Sequence, residues 1–258
     1  MKESSPAGGH KTLKPGDDKE VYPIFGRRSV MEALRAKRHL EEIWVAKNLK
    51  GKILQDLKEE AEKRGVEIST VDKNKLPEDL NHQGIVAWAK SFEYQDLDNL
   101  LLHVKGSPPL LLVLDHLEDP HNFGAILRTA EAAGVDGVII PDKRSVEVTP
   151  IVSKVSAGAS ELVPIAKVTN IARCIEKLKE KGYWVFGLDP AEKQTIWEAD
   201  LNLPCAVVIG NEGKGISRLV LNSCDFLLKL PMQGNITSLN VSVATAVFLY
   251  EILRQKTI

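Results

Sequence analysis

Leu110-Leu111-Leu112-Val113-Leu114, running on through Asp115-His116-Leu117-Glu118 into Asp119-Pro120-His121-Asn122-Phe123-Gly124, sets the architecture of this chain. An unbroken apolar run of strand length belongs in a parallel sheet covered on both faces, because neither set of alternating side chains then meets water. The following segment, 125–133, reads as a helix that stops at Gly134. Downstream, 138–140, 163–165, 183–187 and 205–209 read as further core strands, with helices over 169–181, 216–222 and 239–254. Strands alternating with helices point to an α/β domain, placed at residues 109–258.

Upstream, residues 21–92 read as a smaller α/β module. Helices are expected over 29–35 and 51–64, the second with Ile53, Leu54, Leu57 and Ala61 as its apolar stripe and Gly65 as its stop. Strands are expected over 40–45, 66–71 and 84–89. Residues 93–108, with Gly106 and Pro108-Pro109 at their end, read as a linker, and residues 1–20 as a flexible tail poor in groups that pack.

Composition bounds the function. With 258 residues, 43% of them hydrophobic and 27% charged, the chain has enough apolar surface for full cores. No apolar run reaches membrane-spanning length, and the first residues lack the apolar segment of a secretory signal, so no membrane is expected as a partner. Cys174, Cys205 and Cys224 are too few and too scattered for a disulfide framework or a zinc signature, which points to a reducing, cytoplasmic location and no metal. A net charge of -1 gives no global sign of nucleic-acid binding. Local clusters do: Arg27, Arg28, Arg35, Lys37, Arg38 and His39 in the first module, and Lys143-Arg144 in the second.

Three segments carry polar residues that packing does not explain. In the first, 119–130, Asn122 is placed to cap the new helix, Gly124 allows close backbone approach, and Arg128 offers a planar fork suited to phosphate, or else an ion pair with Glu131. In the second, Ile209-Gly210-Asn211-Glu212-Gly213-Lys214-Gly215, glycines after a buried strand read as a backbone cradle; it is neither a Walker loop nor a dinucleotide fingerprint. Glu212 reads as a hydrogen-bond acceptor for a substrate or for Arg128. The third segment, 231–240, leads into a terminal helix of small and apolar residues, with Gly234 free to take unusual dihedrals or admit a ligand. Backbone around Leu230, Met232 and Leu239 is suited to an adenine-like ring, and Ser238 and Asn240 to a hydroxyl substrate.

Asn122-x-Gly124-x-x-x-Arg128, Ile209-Gly210-Asn211-Glu212-Gly213 and Met232-x-Gly234-x-x-x-Ser238-Leu239-Asn240-Val241-Ser242-Val243-Ala244, in that order, closely resemble the motifs of the SpoU, or TrmH-like, RNA ribose 2'-O-methyltransferases of the SPOUT superfamily. The segment from Phe25-Gly26 to Leu34 and His82-Gln83-Gly84-Ile85-Val86-Ala87 resemble the substrate-binding module of the two-domain branch that methylates a guanosine of bacterial large-subunit RNA. The resemblance implies a deep trefoil knot in the C-terminal domain and a ribosomal-protein-like RNA-binding module before it. It implies S-adenosyl-L-methionine as cofactor, held by backbone at Gly210, Leu230 and Leu239 with Met232 beside them. It implies Arg128, Asn122, Glu212, Ser238 and Asn240 as active-site residues, a homodimer through the C-terminal domain, and structured RNA, 23S ribosomal RNA in the first place, rather than DNA as substrate. Three other readings stand beside this one: a methyltransferase for a transfer RNA or another ribosomal RNA nucleoside, an RNA-binding or ribosome-assembly protein with little catalysis, and a nucleotide-dependent enzyme acting on a small metabolite.

Overall fold

The computed structural model describes residues 21–77 and 81–257; the expected tail over 1–20 lies outside the described residues. The first unit consists of β1 (Val21–Phe25), α1 (Arg27–Arg35), β2 (Leu40–Ala46), α2 (Lys52–Arg64), β3 (Glu67–Val71) and β4 (Ile85–Lys90), with a sheet ordered β1-β4-β2-β3. β4 runs antiparallel to β1 and β2, and β2 pairs with β3 in parallel. Strand β1 escaped the sequence reading. It carries Pro23, which lacks an N–H for the ladder and is tolerated because β1 lies at the sheet's edge. α2 ends where expected: Gly65 sits in the left-handed region at φ 65°, and its N–H reaches back to the Ala61 and Glu62 carbonyls.

The second unit runs through α3 (Leu97–Leu102), β5 (Leu110–Leu114), α4 (Pro120–Ala132), β6 (Gly137–Pro141), α5 (Pro150–Val155), β7 (Ile165–Val168), α6 (Ile171–Glu180), β8 (Trp184–Leu188), β9 (Cys205–Ile209), α7 (Arg218–Ser223), β10 (Phe226–Leu228) and α8 (Val241–Thr257). Its strands pair in parallel in the order β10-β8-β9-β5-β6-β7. The apolar run of β5 divides by the period of a strand. Leu110, Leu112 and Leu114 join the core shared with α4 and α8, whereas Leu111 and Val113 join the core shared with α6 and α7. Both faces are buried, as the composition of β5 demands.

This strand order places the site. β5 and β9 are neighbours, yet β5 leads into α4 on one face and β9 leads toward α7 on the other. Connections that diverge to opposite faces leave a crevice at the carboxyl ends of the two strands, where open α/β sheets bind ligands.

Several expectations are corrected. α4 starts at Pro120, and Asp119 caps it by accepting the His121 N–H at 2.9 Å; Asn122 therefore lies inside the first turn and is not the cap. The stretch 93–108, expected as a linker, is built into the fold. Asp96 caps α3, whose Leu97 and Leu100 are buried, and the Tyr94 hydroxyl accepts from the Val148 N–H at 2.8 Å. α5, capped by Thr149, and β10, of only three residues, were too short to show a period.

The two units meet through a polar joint. Arg38 of the first unit pairs with Glu161 of the second at 2.5 Å, their side chains 14% and 3% exposed. Ser29 Oγ donates to the Ser153 carbonyl at 3.1 Å, and Lys154 Nζ donates to the Asn81 carbonyl at 2.7 Å. Burial pushes the Glu161 carboxyl above its ordinary range even though Arg38 and the Ser153 and Ser160 hydroxyls act against it. Arg38 is thus withdrawn from the basic surface expected of the front module, and Arg35 is paired with Glu32; Arg27, Arg28, Lys37 and His39 are exposed.

Candidate active site

Asn122 is the centre of the crevice. The first turn of α4 holds it at 8% exposure, and its Nδ2 donates both to Asp119 Oδ2 at 2.9 Å and to Glu212 Oε1. Its Oδ1 accepts from Asn240 Nδ2 at 3.1 Å. Three residues expected at one site, from three separate segments, therefore join in one hydrogen-bonded set. The Asn122 amide, with the His121 N–H behind it, holds the Asp119 carboxyl below its ordinary range, so Asp119 stays ionised as an anchor for Asn122.

Asn240 has less freedom than the sequence suggested. Its Oδ1 accepts from the Ser242 N–H at 2.9 Å and the Ser242 hydroxyl at 2.6 Å, the bonding pattern of a residue that caps α8. With its amide on Asn122, both ends of the side chain are engaged within the protein. Ser238 is exposed, and among the described residues its hydroxyl has no hydrogen-bond partner.

The glycine-rich loop after β9 is closed on itself. Asn211 N–H donates to the Gly215 carbonyl at 3.0 Å and Gly215 N–H returns to the Asn211 carbonyl at 2.8 Å. A Cβ on Gly210 would lie 2.1 Å from the Gly215 carbonyl carbon, so no side chain fits there. Gly124 is required for a similar reason: its Cβ would lie 2.7 Å from Val155 Cβ, where α4 packs on α5. Gly234 differs. Its φ lies outside the left-handed region and an added Cβ would meet nothing within 4 Å, so the fold alone does not need glycine there.

Among the described residues, the main chain of 230–239 makes no hydrogen bond to any other part of the protein. Ten consecutive residues thus present C=O groups, and all but Pro231 an N–H, beside Asn240, with Leu230 and Met232 half-buried and Leu239 41% exposed. Arg128 is exposed further along α4; the alternative pair with Glu131 is not formed, and no carboxylate of the described residues lies within 4.0 Å of its guanidinium. Lys143 and Arg144 are exposed in the loop that leaves β6, at the same end of the sheet.

Sequence reasoning passed over two features. One is Asp115, a carboxylate only 1% exposed at the end of β5. The other is a cleft of about 760 Å³ in the first unit, with Ala46 and Leu49 in its wall and Arg27, Lys73, His82 and Gln83 around it. Burial, then the charges of Lys73 and Lys154, push the His82 imidazole below its ordinary value. The cysteines are inert space-fillers, as expected: burial pushes the thiols of Cys174, Cys205 and Cys224 up to about 12, 11 and 12. Among the described residues no three His, Cys, Asp or Glu side chains gather as metal ligands, and no helix is long and apolar enough to cross a membrane.

Comparison with known proteins gives this geometry a family. Residues 109–250 match the SpoU rRNA Methylase family, and residues 23–95 match the family described as RNA 2'-O ribose methyltransferase substrate binding. The TrmH-family protein YacO of Bacillus subtilis (strain 168) is 45% identical over 237 residues, 90% of this chain and 95% of YacO. A solved RNA 2'-O ribose methyltransferase aligns with a TM-score of 0.75 and 28% identity, covering 93% of this chain and 90% of its own. The SpoU methyltransferase AviRb from Streptomyces viridochromogenes, solved in complex with the cofactor AdoMet, shares the fold with a TM-score of 0.80 at 22% identity, over 92% of this chain and 91% of that one.

Proposed function

The chain belongs to the SpoU rRNA methylase family, and on that premise we propose that it transfers the methyl group of S-adenosyl-L-methionine to a ribose 2'-hydroxyl of RNA, with a guanosine of 23S ribosomal RNA as the target. It is an RNA methyltransferase of the TrmH type. The observation that carries the reading is the meeting of Asn122, Glu212 and Asn240 beside ten residues of unpaired main chain.

Those residues fit the cofactor. The free N–H and C=O groups of 230–239 match the donor and acceptor edge of a purine, and half-buried Leu230 and Met232 offer apolar surface for its ring. When bound, the cofactor supplies a methyl carbon made electrophilic by its sulfonium. The closed loop at Gly210 and the Asn240 cap hold the two walls of the crevice in place. The Ser238 hydroxyl, free of partners among the described residues, orients the ribose. Arg128, unpaired and exposed, grips the target phosphate with its planar fork, making the encounter effectively intramolecular. As the new oxygen–carbon bond forms, the methyl group's bond to sulfur would break and S-adenosyl-L-homocysteine would be the product; the 2'-hydroxyl proton would pass to an RNA phosphate oxygen, or to Arg128 only with its guanidinium in the neutral form.

In this reading residues 21–92 capture RNA through Arg27, Arg28 and the basic cleft, while residues 109–258 hold the cofactor and the homodimer contact. The exposed apolar side chains Val243 and Tyr250 of α8, 47% and 51% exposed, support a protein partner on that helix. The deep trefoil knot, a rare topology, belongs to this reading of residues 109–258. The bacterial cytoplasm, where ribosomal RNA is modified, is the matching compartment. The test is methyl transfer from labelled cofactor to 23S RNA, transfer RNA and small alcohols, with the methylated nucleotide mapped in cells with and without the protein. Ribose methylation of 23S guanosine is expected. Transfer only to transfer RNA would overturn the substrate, and RNA binding without any transfer would favour an assembly role.

A further inference from the structure

We infer that Asp115 is a positioning residue for the cofactor loop, acting through the backbone that Gly210 and Glu212 belong to. Asp115 stands at the end of β5, where its N–H donates to the Ile209 carbonyl at 2.8 Å and so extends the β5–β9 ladder to the residue just before Gly210. Its carboxylate Oδ2 accepts the Ser217 N–H at 2.7 Å, immediately before α7. One side chain and its own backbone thus fix both ends of the loop 210–216. The other oxygen, Oδ1, lies 2.6 Å from His116 Nδ1.

His116 continues the linkage. It adopts φ 58°, uncommon for a residue with a Cβ, and its carbonyl accepts Asn211 Nδ2 at 2.9 Å. Asn211 Oδ1 in turn accepts the Gly213 N–H at 3.0 Å, and Glu212 between them bonds Asn122. A path of hydrogen bonds therefore runs from Asp115 to the centre of the crevice.

Packing alone does not call for a carboxylate here. At 1% exposure an acid is costly to bury, and an apolar side chain of similar volume would fill the space at lower cost. What the carboxylate provides is directional: it accepts one N–H that the loop would otherwise leave unpaired and holds the next residue in a left-handed turn. The role differs from those proposed for Arg128, Ser238 and Asn240, because Asp115 has no open side from which to touch RNA or cofactor.

The inference rests on the proposed cofactor, and the experiment separates the two. Wild type, Asp115→Asn and Asp115→Ala are titrated with S-adenosyl-L-homocysteine and, separately, with RNA, and amide exchange is followed in the free proteins. Faster exchange over residues 210–217 is expected in both variants, with the first unit unchanged. Affinity for S-adenosyl-L-homocysteine should fall about 10-fold in Asp115→Asn and further in Asp115→Ala, as for loss of a hydrogen bond to a charged group. RNA affinity should hold, and the KM for cofactor should rise more than kcat falls. Folded variants with unchanged exchange over 210–217 and affinity within twofold of wild type would overturn the inference, and so would equal losses for RNA and cofactor. Failure of wild type to bind S-adenosyl-L-homocysteine would strike the cofactor assignment, while the exchange data would still decide whether Asp115 holds the loop.

Discussion

Asn240 donates its side-chain amide to Asn122 Oδ1 at 3.1 Å, joining the cap of the terminal helix to the first turn of α4. Nothing else in the described chain ties these two turns so directly. Asn122 also reaches Glu212 and Asp119, so it holds three walls of the crevice at one point.

Replacing Asn122 with Ala should cut all of these links. Methyl transfer should fall roughly 10- to 100-fold at saturating RNA, since geometry about the reacting groups is lost. The Asp119 carboxyl should rise toward its ordinary value, because the Asn122 amide is the largest cause of its depression. A depressed carboxyl contributes stability above its unfolded value and loses it as pH falls through the folded one, so the variant should be less sensitive to acid at this position. Carbon-detected NMR titration of Asp119 reads the shift, and an unmoved carboxyl would contradict the arrangement.

Arg128→Ala should lower single-turnover methyl transfer roughly 100-fold while leaving cofactor affinity unchanged, the scale of a lost acid–base group. Arg128 has no carboxylate partner among the described residues, so its removal should not cost folding stability. Rescue by Arg128→Lys would assign the residue to charge attraction. Lack of rescue would assign it to the geometry of the planar fork. Near-normal rates in a folded Arg128→Ala protein would remove it from the reaction.

Gly234→Ala and Gly124→Ala form a contrasting pair. A Cβ at 124 would press on Val155, and melting should report about 1–3 kcal/mol of destabilisation from overpacking. A Cβ at 234 meets nothing, so the melting temperature should not move. Loss of cofactor binding in Gly234→Ala would then show close approach of a ligand to that backbone. Full binding would place the ligand elsewhere on the loop.

The joint between the units predicts a pH dependence. Arg38→Ala leaves the Glu161 carboxylate buried without its cation, a change of about 3–5 kcal/mol for a broken buried pair. Burial already raises this carboxyl, and a raised carboxyl loses stability as pH rises through its folded value. Thermal unfolding of Arg38→Ala should therefore be worse at mildly alkaline than at mildly acidic pH. An equal loss at both would show that packing, not charge, holds the joint.

Charge reversal tests the basic cleft of the first unit. Lys73→Glu in the cleft of the first unit should weaken RNA binding at every sequence and flatten its salt dependence, the mark of a phosphate contact. Cofactor affinity should not change. Filter binding at two salt concentrations decides this, and unaltered RNA affinity would exclude the cleft from capture.

The sequence by itself determined the α/β class, the central strand and the two-unit order, because these follow from local patterns of burial. The apolar run 110–114 had to be covered on both faces, and it is, by α4 and α8 on one side and α6 and α7 on the other. Gly65 ends α2 because only a residue tolerant of positive φ closes that helix cheaply. Of the residues the three motifs singled out, Asn122, Glu212 and Asn240 meet in one hydrogen-bonded set. What the motifs could not name was the bonding among them. Asn122 looked like a helix cap until Asp119 took that place, Arg38 looked like surface until Glu161 covered it, and Asp115 drew no notice at all. β1, α3, α5 and β10 were too short for any period to emerge. Only the tertiary structure decided these points. A side chain's burial follows from its neighbours along the chain, whereas partners such as Glu212, Asn240 and Glu161 lie 90 to 123 residues away and depend on which elements the fold sets side by side.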